Sequence, residues 1–595
     1  MFLKKQNHNK DGKDHVYWSL VENNRTGHTT KHRLLCYLGE LNSSQEKRWR
    51  KTINVFNDEG EEEQLHLFPS DNVPEEGSEN IVKIDLKTVG LERCREFGAI
   101  YAALELWKRL GLDKFWERKL DNKKEGAGRE PDIEWSKVAA ILAINRLCDP
   151  GSELSIEEQW FRSTALDDLL NVEEKKINSD RLYDCLDQII RHKEELEKHL
   201  KEQYGELFNV KYEIILYDIT STYFEGENKR NDQAKRGYSR DHRPDCKQIC
   251  IALVVSEEGF PFSYEIFDGN RVDVTTLEEF MEGIEKKYGK AQRIWVFDRG
   301  IVSEENLEIL RKKESKYLTG TRRSELKKYE KELLDKDWKE VQKGVEVKLI
   351  SAGTGKETYV LCRAIKRKAK EEAMRKTASE KLEKYLEKLS ERIKRGKLKD
   401  AIKIERKIGA ITGKYASISD LYEIEYKEGK LEWKINQEKI EWCKAREGAY
   451  LLRTNLTEED PEILWKKYIQ LTEAEAAFRV LKSELAIRPI WHQKTERVHA
   501  HIMVAFMGYA LWVTLKHILK NAGVAYSPGR ALNTLKRIHS GDIIMQTVDK
   551  VERYRLRLRR VFRPDAEERL LLNALKIQIP EKLSIDLKLK CGTDL

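Results

Sequence analysis

Cysteine is scarce in this chain and unpatterned, nine in 595 residues with no CxxC pair. That excludes a disulfide framework and a zinc-finger spacing. Cys246 and Cys250, beside His242 and Asp245, come nearest to a metal site, but they lack a second half and run into a strand-like stretch. Long apolar runs are also missing. The N-terminus, Met-Phe-Leu-Lys-Lys-Gln-Asn-His-Asn, has no apolar signal core. The longest apolar stretch, Ile502 to Leu515, falls short of the roughly 20 residues that cross a bilayer. A soluble, reduced, cytoplasmic protein without membrane partners is the expectation. No charge sign dominates: 111 basic against 103 acidic residues leave +8, which permits a polyanionic partner without demanding one. A phosphate loop is excluded too, since Gly353-Thr-Gly-Lys356 has Ile350 where the first glycine belongs and Glu357 after the lysine.

What is present divides along the chain, and at roughly 150 residues per domain the length implies three or four. Residues 1–56 alternate as strands, as in Val16 to Val21 and Arg33 to Leu38, and 57–82 form an acidic, polar linker. Residues 83–205 turn helical from about Leu91; a basic cluster at Lys47 to Lys51 in the N-terminal region and another at Arg118 to Lys124 in the helical one are candidate contacts to phosphates or solvated faces. Strands at Tyr212 to Tyr217, Gln248 to Ser256 and Phe260 to Phe267 precede alternating helix and strand, which describes a mixed sheet flanked by helices over 210–325 and 446–520. Residues 326–445 interrupt that sheet as an insertion. Its core run, Lys366 to Lys407, is a charged helix or helical hairpin with apolar spacing Leu382, Leu386, Leu389, Ile393. A C-terminal region, 521–595, includes the basic alternation Arg553 to Arg560, readable as a DNA contact or a solvated strand.

Three acids carry the candidate chemistry. Asp218 and Asp298 each end an apolar strand-like run, Glu-Ile-Ile-Leu-Tyr-Asp218 and Arg-Ile-Trp-Val-Phe-Asp298. A carboxylate at the carboxyl end of a strand projects where open sheets bind ligands. Glu475 lies seven residues after Tyr468 and seven before Lys482, so a continuous helix would line up all three on one stripe. Glu473 falls off that stripe. Each acid has an ordinary reading as well: Asp218 as a turn-former before Ile-Thr-Ser-Thr, Asp298 as a loop residue, Glu475 as the surface partner of Arg479. Three converging carboxylates suit divalent cations, which two-metal phosphoryl chemistry places about 4 Å apart.

Tyr468, Glu475 and Lys482 resemble the Y-(2)-R-(3)-E-(6)-K signature of IS4-type DDE transposases. The blocks Gly237-Tyr-Ser-Arg-Asp-His-Arg-Pro244, Phe267-Asp-Gly-Asn270, Ala477 to Ser483 and Ile487-Arg-Pro489 are similar to the IS1634 branch. So are Leu38-Gly-Glu-Leu41 and Asn145-Arg-Leu-Cys-Asp-Pro-Gly-Ser152. The resemblance implies an RNase H-like α/β fold in which Asp218, Asp298 and Glu475 are catalytic and hold magnesium or manganese, two ions in all. It implies that Tyr468 and Lys482 bind DNA phosphates. Leu471 stands where the signature has arginine, and Arg479, one turn beyond Glu475, is a candidate substitute. The implied partners are double-stranded transposon ends and target DNA, held by a homodimer, and the implied activity is DNA cleavage with strand transfer. The alternatives are a nuclease of the same fold that does not join strands and a non-catalytic DNA-binding derivative.

Overall fold

The structure, a computed structural model, describes residues 2–10, 13–26, 29–39, 84–121, 132–272, 275–289, 293–335, 337–351, 357–456, 460–547, 554–580, 583 and 587–590. The Lys47 to Lys51 cluster, the acidic linker, Lys123 and Lys124, and the Gly353 to Lys356 run lie outside the described residues. The chain forms two compact units: Met1–Lys211, Ile219–Arg271 and Glu475–Leu595 in one, Tyr212–Asp218 and Val272–Ala474 in the other.

In the first unit, strands Phe2–Lys10, Lys13–Thr26 and Thr29–Gly39 form an antiparallel sheet, as the N-terminal alternation predicts. Its main core surrounds the helix Thr495–Asn521, which is apolar on nearly every side and buried from Ala500 through Leu515. It alone among the described helices is long and apolar enough to cross a membrane, and it is instead a core helix, the usual fate of a helix without a polar face. Around it pack Trp135–Cys148 and Ser179–Ile189. The hairpin Gln248–Val255 and Pro261–Asp268, joined where the Glu-Glu-Gly turn is expected, also belongs here. The Tyr264 ring packs tilted against that of Phe506, centroids 4.8 Å apart, and Tyr509 donates to the carbonyl of Gly259 at 3.0 Å. Those contacts explain why this unit takes residues 219–271 and 475–520 out of the expected 210–325 and 446–520 grouping. The helical region begins later than expected. Leu91 lies on the strand Ile84–Glu96, which pairs with His539–Thr547, and the first helix starts at Gly98. The Ile-Asp-Leu-Lys alternation at its start has the strand period.

In the second unit, Ile214–Tyr217, Ile294–Phe297 and Lys316–Thr319 run parallel. Ala449–Thr454, Thr358–Ala364, Val345–Ser351 and Lys339–Gln342 extend the sheet antiparallel. The sequence reading places the last three in the insertion. They belong to the sheet because Thr358–Ala364 is zipped along Ala449–Thr454, so only residues 365–446 leave it. These comprise helices Ile365–Lys394 and Ala401–Lys414, a hairpin of Tyr422–Lys427 and Lys430–Ile435, and the helix Gln437–Arg446. Leu382, Leu386, Leu389 and Ile393 face Ile404, Ile408 and Leu431 in a core of their own.

Candidate active site

Asp218 and Asp298 come together through strand register. Tyr217 is paired with Phe297 in a parallel ladder, so one further residue sets the two aspartates side by side where that ladder ends, Asp298 just past its strand and Asp218 inside one that runs on to Tyr223, not at its end as the apolar run predicts. Neighbouring strands lie about 4.8 Å apart, and paired residues project to the same face. Asp218 is half-buried and Asp298 exposed. Neither spends its place on a turn. The first strand continues through Asp218 to Tyr223, which removes the turn-former reading. Beyond Asp298, Ser303 caps the next helix, its hydroxyl accepting from the Asn306 N–H at 3.1 Å, while Asn306 Nδ2 donates to the Ile301 carbonyl at 2.8 Å. The loop is thus pinned by other side chains.

The same row continues to Gly320. Phe297 is paired with Thr319, so Gly320 stands beside Asp298 on the far side from Asp218. A Cβ built on Gly320 would lie 2.6 Å from the hydroxyl of Tyr468, which therefore hangs over the face toward which the aspartates point. The Tyr468 ring lies 6.5 Å from that of Tyr450, whose hydroxyl takes the Trp465 Nε1 proton at 2.8 Å. Gly320→Ala forces the phenol aside while touching only the end of a side chain. We expect its melting temperature to match wild type and, for the activity the resemblance implies, its rate of DNA cleavage to fall about 10- to 100-fold, as misplacement by an ångström costs.

Glu475, Arg479 and Lys482 belong to the first unit, on the helix Leu471–Ser483. Glu475 and Arg479 are exposed, whereas Leu471, Ala474, Phe478 and Leu481 are buried. Leu471, at the signature's arginine position, is thus a packing residue. Tyr468 does not share this helix. It ends the preceding one, Pro461–Ile469, and the ladder is interrupted at Gln470, where the Glu473 N–H closes on the Gln470 carbonyl at 2.8 Å. The single stripe from Tyr468 to Lys482 is therefore corrected: only Glu475 to Lys482 run on one helix.

Lys482 meets a partner that the sequence reading missed. Its Nζ lies 2.8 Å from Asp241 Oδ1, which also takes Arg488, and the Asp241 side chain is only 2% exposed. Burial pushes the Lys482 ammonium below its ordinary value, and Asp241 opposes that shift. Asp241 Oδ2 is buried and makes no hydrogen bond among the described residues. This cluster explains why the Gly237–Pro244 block and the Ile487-Arg-Pro489 block occur together. The Phe267–Asn270 block joins them through backbone contact: a Cβ on Gly237 would sit 2.2 Å from the Gly269 carbonyl, and Gln248 Nε2 donates to that carbonyl at 2.7 Å.

The Asn145–Ser152 block supports the same turn from behind. Buried Arg146 donates to the Leu485 and Ala486 carbonyls, and His501 Nε2 meets the Ile487 carbonyl at 3.1 Å. Next to them His492 lies 3.4 Å from Glu153. Burial raises the Glu153 carboxyl, but the hydrogen bond and charge of His492 outweigh it and hold it at about 2, well below its ordinary 4.5. Its stabilisation is complete above that ordinary value and is lost as pH falls below it toward the folded-state value. Melting curves of wild type and Glu153→Gln are expected to differ at about pH 5 and to converge as pH falls from 4.5 to about 2. His499 bonds Gln233 at 2.6 Å, so it and His501, near the start of the helix Thr495–Asn521, both serve structure.

Other candidates resolve as packing. On the basic strand Tyr554–Val561, Arg559 is taken by Asp542 and Asp168, Arg557 lies 3.9 Å from Asp542, and Arg555 reaches Glu92 at 3.4 Å. Trp433, Trp442 and Trp465, whose rings could stack on a base or pack in a core, do the latter: Trp433 packs on the insertion core, Trp442 on that of the sheet, and Trp465 is buried. Cys250 is buried in its strand and Asp245 pairs with Arg243 at 2.9 Å.

Two carboxylates side by side on adjacent strands, one of them exposed, fit magnesium, which binds through one or two carboxylates and completes its shell with water and phosphate oxygen. Among the described residues no group of three or more His, Cys, Asp or Glu side chains stands ready to hold an ion by itself.

The family model described as transposase DDE domain matches residues 210–511, and that of the IS1634 family transposase N-terminal domain matches residues 3–63. No curated protein sequence matches the chain. Among solved structures, a piggyBac transposase synaptic complex with hairpin DNA aligns at 9% identity over 75% of this chain and 81% of its own, with a TM-score of 0.34. A Mos1 transposase paired-end complex with the left transposon end aligns at 14% identity over 32% and 60%, with a TM-score of 0.12. Superpositions that loose add nothing to the family matches.

Proposed function

This chain belongs to the transposase DDE domain family, and on that footing we propose that it binds the terminal inverted repeats of an insertion sequence, cleaves DNA there and joins the ends to target DNA. The observation that carries the reading is the register that sets Asp218 beside Asp298 where the parallel ladder of their strands ends. Glu475 supplies the third acid. Divalent cations bound by these carboxylates would activate an attacking oxygen and steady the leaving one in an in-line displacement. Asp218 and Asp298 fix the position of the reacting phosphate through that binding, and the Tyr468 hydroxyl orients it from above Gly320. Water is the attacking group in cleavage, which leaves a 3′-hydroxyl on the element end. That hydroxyl then attacks a target phosphodiester, so one site performs hydrolysis followed by transesterification. Lys482 acts mainly by holding the Glu475 helix to the Asp241 loop, with Arg479 the exposed cation one turn from Glu475 left for phosphate. A homodimer pairs the two ends.

The test uses a duplex carrying the element's end, a supercoiled target plasmid and magnesium. Nicking that exposes a 3′-hydroxyl, followed by covalent joining to the plasmid, is the expected result. Cutting without joining, even from pre-cleaved ends, would leave a nuclease, and no cutting of any end would overturn the proposal.

A further inference from the structure

The helix Ile365–Lys394 carries eleven lysines and arginines against six glutamates, and the two signs are sorted around it. At 100° per residue, Lys366, Lys370, Lys381, Lys384, Lys388 and Arg392 fall within about 40° either side of one line. Every glutamate of the helix lies outside that sector. The buried residues Leu382, Leu386, Leu389 and Ile393 point about 130° away, into the insertion's own core. All six cations are exposed, and among the described residues none of them forms an ion pair. Of the five cations elsewhere on the helix, Arg375 is tied to Glu447 at 2.6 Å and Arg367 to Glu371 at 3.1 Å, while Lys368, Lys376 and Lys394 form no ion pair among the described residues, so it is the sorting of sign that sets the sector apart. A helix that only needed solubility would mix its signs at i,i+4 spacing on every face. Here one face is kept free of carboxylates for about 40 Å, the rise over the roughly 26 residues from Lys366 to Arg392.

We propose that this stripe is a sequence-independent grip on the phosphates of duplex DNA, formed by the insertion and separate from the aspartate site. The inference rests on the DNA reading above. Charge of one sign repeated along a line matches a polyanion whose own charge repeats along a line, about one phosphate per 1.7 Å of duplex. A bilayer surface fits less well, because the apolar residues that would enter it are spent on the insertion core. Exposed Tyr385 borders the sector, and Lys414 Nζ from the following helix sits 5.4 Å over its ring, which adds a further cation to the edge of the stripe. With lysines as point charges and no fork of paired donors aimed at a groove, the contact positions DNA without reading its bases.

The test is a salt titration of binding to a fluorescent duplex of random sequence, about 30 base pairs long so that it spans several helical turns. The full-length K381Q/K384Q/K388Q variant is compared with wild type and with K368Q/K376Q/K394Q, which removes equal charge from the same helix outside the sector. The stripe variant is expected to flatten the slope of log K against log salt by about 2 to 3, near 0.9 per lost phosphate contact, and to bind at least tenfold more weakly at low salt. The off-stripe variant is expected to keep the wild-type slope, and all three proteins the same melting curve. Equal losses in both variants would mean that only net charge matters and would overturn the proposal. An unchanged slope in the stripe variant would overturn it while leaving the transposase reading intact. Failure of wild type to bind any duplex would remove both. Preference for single-stranded RNA or for anionic vesicles would assign the stripe to another partner and overturn it too.

Discussion

Asp218→Asn and Asp298→Asn are each expected to lower DNA cleavage and strand transfer by about 10³-fold or more, because an amide keeps the shape of the carboxylate and loses the anionic donor that would hold a hard cation. Binding to a transposon-end duplex stays within about twofold of wild type, since phosphate contacts made elsewhere carry affinity. Glu475→Gln is expected to behave in the same way. These variants have a second signature. Without divalent cation the two aspartates stand as like charges about 5 Å apart, so removing one leaves the melting temperature unchanged or raises it. A residue that served only the fold would show the reverse, lower stability with activity retained. Gel-based cleavage and joining, gel-shift binding and melting curves with and without magnesium separate the two. Cleavage within tenfold of wild type in either aspartate variant would remove that residue from the site.

Asp241→Ala carries the largest expected loss of stability. It strands Lys482, 13% exposed, and Arg488, 31% exposed, without the carboxylate that both share. Breaking one side of a buried pair costs about 3 to 5 kcal/mol, and the lower figure applies here because Arg488 retains access to water. The double variant Asp241→Ala with Lys482→Met is expected to recover much of the loss, since a methionine fills the lysine's volume without charge. Urea denaturation followed by hydrogen exchange at residues 475–490 reads the effect locally. An Asp241→Ala protein as stable as wild type would show that Lys482 was free to turn outward toward phosphate.

The aspartates were legible in the sequence because each closes an apolar run of strand length, a local signal. The hairpin at Glu257-Glu-Gly259 was legible for the same reason. Gly320 was not: its role depends on register with Asp298 and on the hydroxyl of Tyr468 far along the chain, and nothing in Tyr-Leu-Thr-Gly announces either. Asp241 was hidden by the same kind of distance, since its cations lie 241 and 247 positions away. The stripe from Tyr468 to Lys482 was overdrawn because the break at Gln470 carries no proline or glycine, the usual marks of a helix end. The strands at 345–351 and 358–364 were placed in the insertion because their alternation is short and strongly charged around them, while the pairing that claims them, along Ala449–Thr454, bridges the whole helical arm. Composition alone left the basic strand at Arg555 to Arg559 ambiguous, and only the placement of Asp542, Asp168 and Glu92 decided it.

The central claim is that Asp218, Asp298 and Glu475 hold divalent metal in one place. Iron(II) substituted for magnesium, with ascorbate and peroxide, generates radicals that cut the polypeptide near the bound ion. The account predicts scission close to residues 218, 298 and 475 in wild type, suppressed by excess magnesium and absent from the Asp218→Asn, Asp298→Asn double variant. Scission elsewhere in the chain, or scission unaffected by that double substitution, would contradict it.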